Sequence, residues 1–202
     1  KLEAPPVHPV LAAITLPGDG LDHARWMREL PRMQVLIALL RDGFHPGSPG
    51  GRVRLRGDGT PVLDYPFTHY LREGFRRALA VMAEIQFAAG ARVVMPMHQD
   101  GGAFRSFEPA RRAIAKLSTD PLRVRVVSAH VMGGCALGDS PRRAVVNPQG
   151  QHHQIENVFV IDGSLFPTSI GANPQLSIYG LAARLAEGLV RREHTSVPSP
   201  RS

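Results

Sequence analysis

Glycine and proline punctuate this chain so often, 20 and 18 times in 202 residues, that a plain helical bundle is excluded and many turns are required. Hydrophobic residues still make up 43%, which permits a buried core and argues against global disorder. The length suits one ordinary domain or one and a half smaller ones. Two long stretches between the breakers carry helical periodicity. In residues 68–89, Leu71, Phe75, Ala78, Leu79, Met82, Ile85, Gln86 and Ala89 share one face, and Gly90 stands ready to end the helix. In residues 175–192, Ile178, Leu181, Ala182, Leu185 and Leu189 do the same. A helix is also expected over 20–42, capped by Asp22 and broken or kinked at Pro31, and a shorter one over 108–117. Alternation over 52–56, a Gly-Asp-Gly-Thr turn and a resumed run at 61–65 predict a hairpin. Short strands are expected at 91–97, 123–128 and 157–162, irregular chain at 1–19 and a disordered polar tail at 193–202. The fold class is therefore α/β in the broad sense, of α+β type.

The net charge of +7 raises nucleic-acid binding, but the arginines are scattered and form neither a long like-charged run nor an aromatic-interleaved motif. No nucleic-acid partner is expected. No apolar run approaches the roughly 18 residues of a membrane span. A single cysteine, Cys135, excludes an internal disulfide framework and a cysteine-based zinc site, and fits a reducing, cytoplasmic setting. His152 and His153 are adjacent, so on a strand they would point to opposite faces and share no ion. His98 and Asp100 could start a metal-hydrolase site but have no third ligand near them in sequence. No metal is expected. The first residues, KLEAPPVHPV, lack a secretory pattern and an initiator Met, so a processed or excised chain is expected.

Chemistry-bearing residues concentrate in the last third. A strand delivers His130, and Gly133-Gly134 follow, where the backbone can turn and a flat ligand can approach. A histidine there suits general-base work, although a structural histidine beside a tight turn has the same signature. An apolar run ends in Asp162-Gly163-Ser164, a place where ligands gather in layered α/β folds and where ordinary turns also occur. Asn173 and Pro174 read as N-cap and first residue of the last helix, whose positive end could face an anion.

Together the blocks resemble the C-terminal region of the glucose–methanol–choline oxidoreductase family. They are His-x-x-Gly-Gly-Cys, Val-Val-x-Pro-x-Gly, Asn-x-x-Val-x-Asp-Gly-Ser-x-x-Pro and Gly-x-Asn-Pro before a final helix, over residues 128–189. Their form is most similar to the cholesterol oxidase and long-chain alcohol oxidase branches. GRVRLRGDGTPVLDYPFT and the long helix ending AAGA carry the likeness upstream, more loosely. The resemblance implies a C-terminal fragment of a two-domain flavoenzyme, with part of the substrate-binding sheet and its helices in 1–120 and the last part of the FAD-binding domain in 121–192. It implies FAD as cofactor, a small-molecule alcohol as substrate, and oxidation to a carbonyl by hydride transfer. His130 matches the active-site base and Asn173 its partner, which orients the substrate oxygen. Asp162 and Gly163 match the segment near the ribityl-diphosphate part of FAD. Asn173, Pro174, Gln175 and Leu176 match the helix start under the flavin pyrimidine. An amide is no base at neutral pH, so His130 would be the sole base. The family's N-terminal Gly-x-Gly-x-x-Gly is not in these residues, and the implied partner is an N-terminal FAD-binding portion. The alternative is a basic, non-catalytic scaffold module that binds a partner or nucleic acid.

Overall fold

The computed structural model describes residues 1–196, and the backbone forms two compact units, each discontinuous in sequence. The first joins Lys1–Leu40 with Phe67–Val127, and the second joins Arg41–Pro66 with the chain from Ser128 onward. This division differs from a simple cut between residues 120 and 121, because the hairpin segment belongs with the C-terminal residues.

In the first unit, strands β1 (Leu2–Glu3) and β2 (Ile37–Ala38) pair antiparallel, with Leu2 opposite Ala38. Helix α1 (Pro9–Thr15) forms where irregular chain was expected, with Pro9 in the first turn where its missing N–H costs nothing. Helix α2 (Gly20–Arg28) begins after Asp19 rather than Asp22, and a 3-10 turn at Leu30–Arg32 closes it. Pro31 therefore ends the helix expected over 20–42 instead of kinking it. Helix α3 (His69–Ala88) matches its expected span. The Thr68 hydroxyl accepts from the Leu71 N–H at 3.4 Å. At the other end, Gly90 N–H bonds Phe87 O and Ala91 N–H bonds Gln86 O, the Schellman pattern. Helix α4 (Phe107–Ile114) starts one residue earlier and ends three residues earlier than expected. The core comprises Ala83, Val94 and Ile114 with Leu79, Ala80, Phe87 and Phe107 around them. The face of α3 that meets this core is thus centred on Leu79–Ala83–Phe87, and Ile85, expected inside, is 44% exposed.

In the second unit, strands β3 (Arg52–Leu55) and β4 (Pro61–Asp64) make the expected hairpin, with Val53 opposite Leu63 and Leu55 opposite Pro61. Arg54 and Asp64 form an ion pair at 2.8 Å on the other face. Helix α5 (Gln175–Ser196) runs four residues past its expected end; the rest of the expected tail, 197–202, lies outside the described residues. Between hairpin and helix the chain is mostly loop, bound by backbone hydrogen bonds and isolated bridges such as Leu137–Val146 and Gln151–Phe159. Val146, Leu165 and Leu185 form its core, with Leu137, Val160 and Leu181 against them.

The three expected strands at 91–97, 123–128 and 157–162 shrink to single bridges at Val94, Val124 and Phe159. A strand needs a neighbour to satisfy its ladder, and these residues find only one-residue partners. The composition of the surface agrees. Among the described residues ten hydrophobic ones are buried, whereas twenty-five large ones are exposed, including Leu122 at 94% and Leu176 at 84%.

Candidate functional site

The His130 segment and Ile178 in the first turn of α5 both reach the Asp162 turn at Gly163. A 3-10 turn at Gly163–Leu165 is capped by Asp162, whose Oδ1 accepts from Ser164 N–H at 2.8 Å and from the Ser164 hydroxyl at 2.5 Å. Gly163 is buried, and a β-carbon there would lie 3.0 Å from Val131 O and 3.0 Å from Ile178 Cδ1. The segment carrying His130 and the first turn of α5 therefore both press on one glycine, where an added β-carbon would force its neighbours to shift by a few tenths of an ångström. The approach continues along the loop: Cys135 N–H bonds Ser164 O and Leu137 N–H bonds Leu165 O, each at 3.0 Å. Between His130 and Cys135, Gly133 and Gly134 have φ of +83° and +106°, a region costly for any side-chain-bearing residue.

His130 sits in a bend, half-buried, one residue before the Val131 carbonyl that touches Gly163. Asn173 is exposed. The first helical bond of α5 runs from Ile178 N–H to Pro174 O at 2.9 Å, so Pro174 is the capping residue and Asn173 precedes it by one. This shifts the expected N-cap by one position. Pro174 is buried, while Gln175, Leu176 and Ser177 face solvent. Gln175 Nε2 donates to the Tyr179 hydroxyl at 2.5 Å. The backbone N–H groups of Gln175, Leu176 and Ser177 precede that helical bond and lie at the positive end of a 22-residue helix.

Two clefts of this unit are lined by neither His130 nor Asn173. One, of about 420 Å³, is lined by Gln151, Glu156, Asn157, Phe159, Leu189 and Arg192. The other, of about 320 Å³, lies between Gly134, Ala136 and the Pro141–Val145 turn. Neither includes His130 or Asn173, and the candidate site is an open face.

The remaining histidines singled out in the sequence are structural. The His98 side chain is wholly buried. Its Nδ1 accepts from Asp100 N–H at 2.9 Å, so its Nε2–H donates to Ser118 O at 2.7 Å. Asp100 pairs with Arg123. Both ring nitrogens are committed, which removes the hydrolase reading. His152 Nδ1 accepts from Gln154 and Ile155 N–H, and His153 Nε2 lies 3.0 Å from Gly138 O. No group of three potential metal ligands exists among the described residues.

One neighbour of the site had no sequence signal. Arg41, placed by periodicity near the end of an expected helix, instead lies in a loop of the second unit with its guanidinium against Gly171.

The GMC oxidoreductase family matches residues 46–182. The chain belongs to that family. It is 28% identical over 193 residues to a long-chain-alcohol oxidase of Arabidopsis thaliana, covering 90% of this chain and 25% of that protein. An uncharacterized GMC-type oxidoreductase of Mycobacterium tuberculosis is 27% identical over 192 residues, covering 95% of this chain and 29% of that protein. A cholesterol oxidase of Acinetobacter baumannii is 43% identical over 68 residues, 34% of this chain and 12% of that protein. The chain thus spans about a quarter of the length of the long-chain-alcohol oxidases it matches. No helix among the described residues is long and apolar enough to cross a membrane.

Proposed function

We propose that these residues are the C-terminal portion of an FAD-dependent alcohol oxidoreductase, in which His130 acts as base and Asn173 orients the substrate oxygen. The observation that carries this reading is the meeting of the His130 segment, the Asp162–Leu165 turn and the start of α5 at Gly163. GMC membership supports it, and so do relatives whose names are long-chain-alcohol oxidase and cholesterol oxidase.

The residues fit a flavin. A flat ring needs close backbone approach, and paired positive-φ glycines follow His130. An electron-rich ring edge needs donors, and the first N–H groups of α5 supply them together with the helix dipole. Asp162, Gly163, Asn173, Pro174, Gln175 and Leu176 would hold this part of the cofactor. The diphosphate would be held by an N-terminal FAD-binding portion, since its glycine fingerprint is not in these residues. FAD, when bound, supplies the acceptor for the electrons removed from the carbinol carbon.

The chain's own work is then proton handling and positioning. The substrate hydroxyl donates to a neutral His130 nitrogen, and the imidazole takes that proton as the carbonyl forms. The Asn173 amide can donate to the same oxygen without competing for the proton. The substrate is a small-molecule alcohol. The exposed apolar residues, Val53, Leu55 and Leu63 on one hairpin face and Leu176 on α5, would be covered by the N-terminal portion. Titration with FAD followed by visible absorbance tests the reading: weak or no flavin uptake by the 202 residues alone, and stoichiometric uptake once an N-terminal FAD-binding portion is supplied. Stoichiometric uptake by the chain alone would contradict the proposed division of labour. Failure to bind in both states would remove the flavoenzyme assignment.

A further inference from the structure

The turn that leads to Asn173 packs against a side chain from the other sequence segment of its unit, the exposed Arg41. Gly171 has φ +71°, and a β-carbon there would lie 2.7 Å from Arg41 Nε and 2.9 Å from Arg41 Cζ. The guanidinium occupies the space a side chain would fill. Its other neighbour is the Phe44 ring, with Arg41 Cζ 5.5 Å from the centroid. The loop behind it is tied down. Asp42 Oδ1 accepts from Gly43 N–H at 2.8 Å and from the buried Ser48 hydroxyl. Gly43, with φ +82°, is pressed against the Thr168 hydroxyl oxygen. That oxygen is buried, as is Asp42 Oδ2. So the Arg41–Ser48 loop and the Thr168–Gly171 turn are fitted to each other. Asp42 directs one carboxylate oxygen into its own loop, and no ion pair of Arg41 with a carboxylate exists among the described residues.

We propose that Arg41 is a positioning residue of the same site: wedged between Phe44 and Gly171, it fixes the turn into Asn173 and adds a permanent positive charge on the side where α5 presents its N–H groups. It rests on the flavoenzyme reading, and the ligand it serves is the electron-rich edge of a reduced flavin. A planar guanidinium is suited to this slot because it stacks on the ring and fills a flat gap, and an ammonium does neither as well.

The geometry is tested in the 202-residue chain without flavin, labelled with nitrogen-15. Arg41→Gln should move the amide resonances of Gly171, Ala172 and Asn173 and leave those of α3 in place. Unmoved resonances at 171–173 would overturn the positioning role. The charge is tested in the chain joined to an FAD-binding portion, by the midpoint potential of the bound flavin. Arg41→Gln should lower it, and Arg41→Lys, which keeps the charge, should restore most of the drop. An unchanged potential in a flavin-loaded Arg41→Gln protein would overturn the electrostatic role even if the amides move. Should the wild-type assembly take up no flavin, the flavoenzyme reading and the charge role fall together, while the amide shifts still decide whether Arg41 sets the turn.

Discussion

The two long helices begin in opposite ways. Helix α3 is closed at its start: the Thr68 hydroxyl meets the Leu71 N–H, Leu71 is buried, and Arg72 in the same turn bonds Asp120 at 2.7 Å and the Phe67 carbonyl at 3.0 Å. Helix α5 shows solvent Gln175, Leu176 and Ser177, with only Pro174 buried beneath them. At α3 the cap hydroxyl and the Arg72 contacts fill the first turn with the protein's own groups. The start of α5 instead places solvent-facing residues at the positive end of a long helix, beside a glycine on which two segments press.

The contrast can be broken most forcefully at His130. In the flavin-loaded assembly, His130→Gln should lower kcat by about 10²–10⁴-fold, whereas a change at the closed start of α3 should leave kcat near its original value. Steady-state turnover above a tenth of wild type in His130→Gln would show that the open face is not where chemistry occurs. Next in size is Leu165, 1% exposed in the floor under α5. Leu165→Ala should cost about 2–5 kcal/mol, read as faster hydrogen exchange along α5 with α3 protected as before. Equal acceleration in both helices would mean that the two cores do not open separately. A methyl added at Gly163 should cost about 1–3 kcal/mol, because both Val131 O and Ile178 Cδ1 stand 3.0 Å from it. If Gly163→Ala is neutral in thermal unfolding, the three motifs are less tightly joined than this geometry requires.

The closed start should respond more mildly. Thr68→Ala removes a long cap bond and should cost about 0.5–1 kcal/mol, seen first as faster exchange of the Leu71 amide. The smallest effect concerns Asp120. The Ser118 hydroxyl, and then the Arg72 guanidinium, hold its carboxyl below the usual carboxylate range. A depressed value means that its contribution is fully present above the unfolded-state carboxylate range and is lost as pH falls through the lower folded-state value. Acid should therefore loosen the first turn of α3, and Asp120→Asn should remove that pH dependence from its exchange rates. Identical acid profiles with and without the carboxylate would show that Arg72 does not close this helix.

Local rules made part of this fold legible in the sequence. Helix α3, the hairpin and the start of α5 follow from periodicity, turn residues and caps, all of which act within a few residues. The strands at 91–97, 123–128 and 157–162 did not follow, since apolar alternation records what a segment could pair with and not whether the partner is present. A proline at 31 permits either a kink or a break; here α2 stops before it, so Val35–Leu40 is left to pair and turn instead of coiling. At the candidate site, ordered motifs single out His130, Asp162, Gly163 and Asn173 from the sequence alone. Arg41 could not be found this way: its partner Gly171 is distant in sequence, and an arginine next to an aspartate resembles any solvated surface pair.

The second unit draws on two pieces of chain separated by the whole of Phe67–Val127. During synthesis Arg41 leaves the ribosome roughly 130 residues ahead of Gly171, an interval of several seconds at common elongation speeds. Its slot does not exist until then. The Arg41–Pro66 segment must wait, with Val53, Leu55 and Leu63 uncovered on a ribbon whose outer edges can pair with any passing strand. The same segment sets a limit on protein engineering: a truncated version starting at Ser128 would keep His130 and Asn173 yet lose the arginine, the stacked ring and the loop that together shape the approach to the last helix.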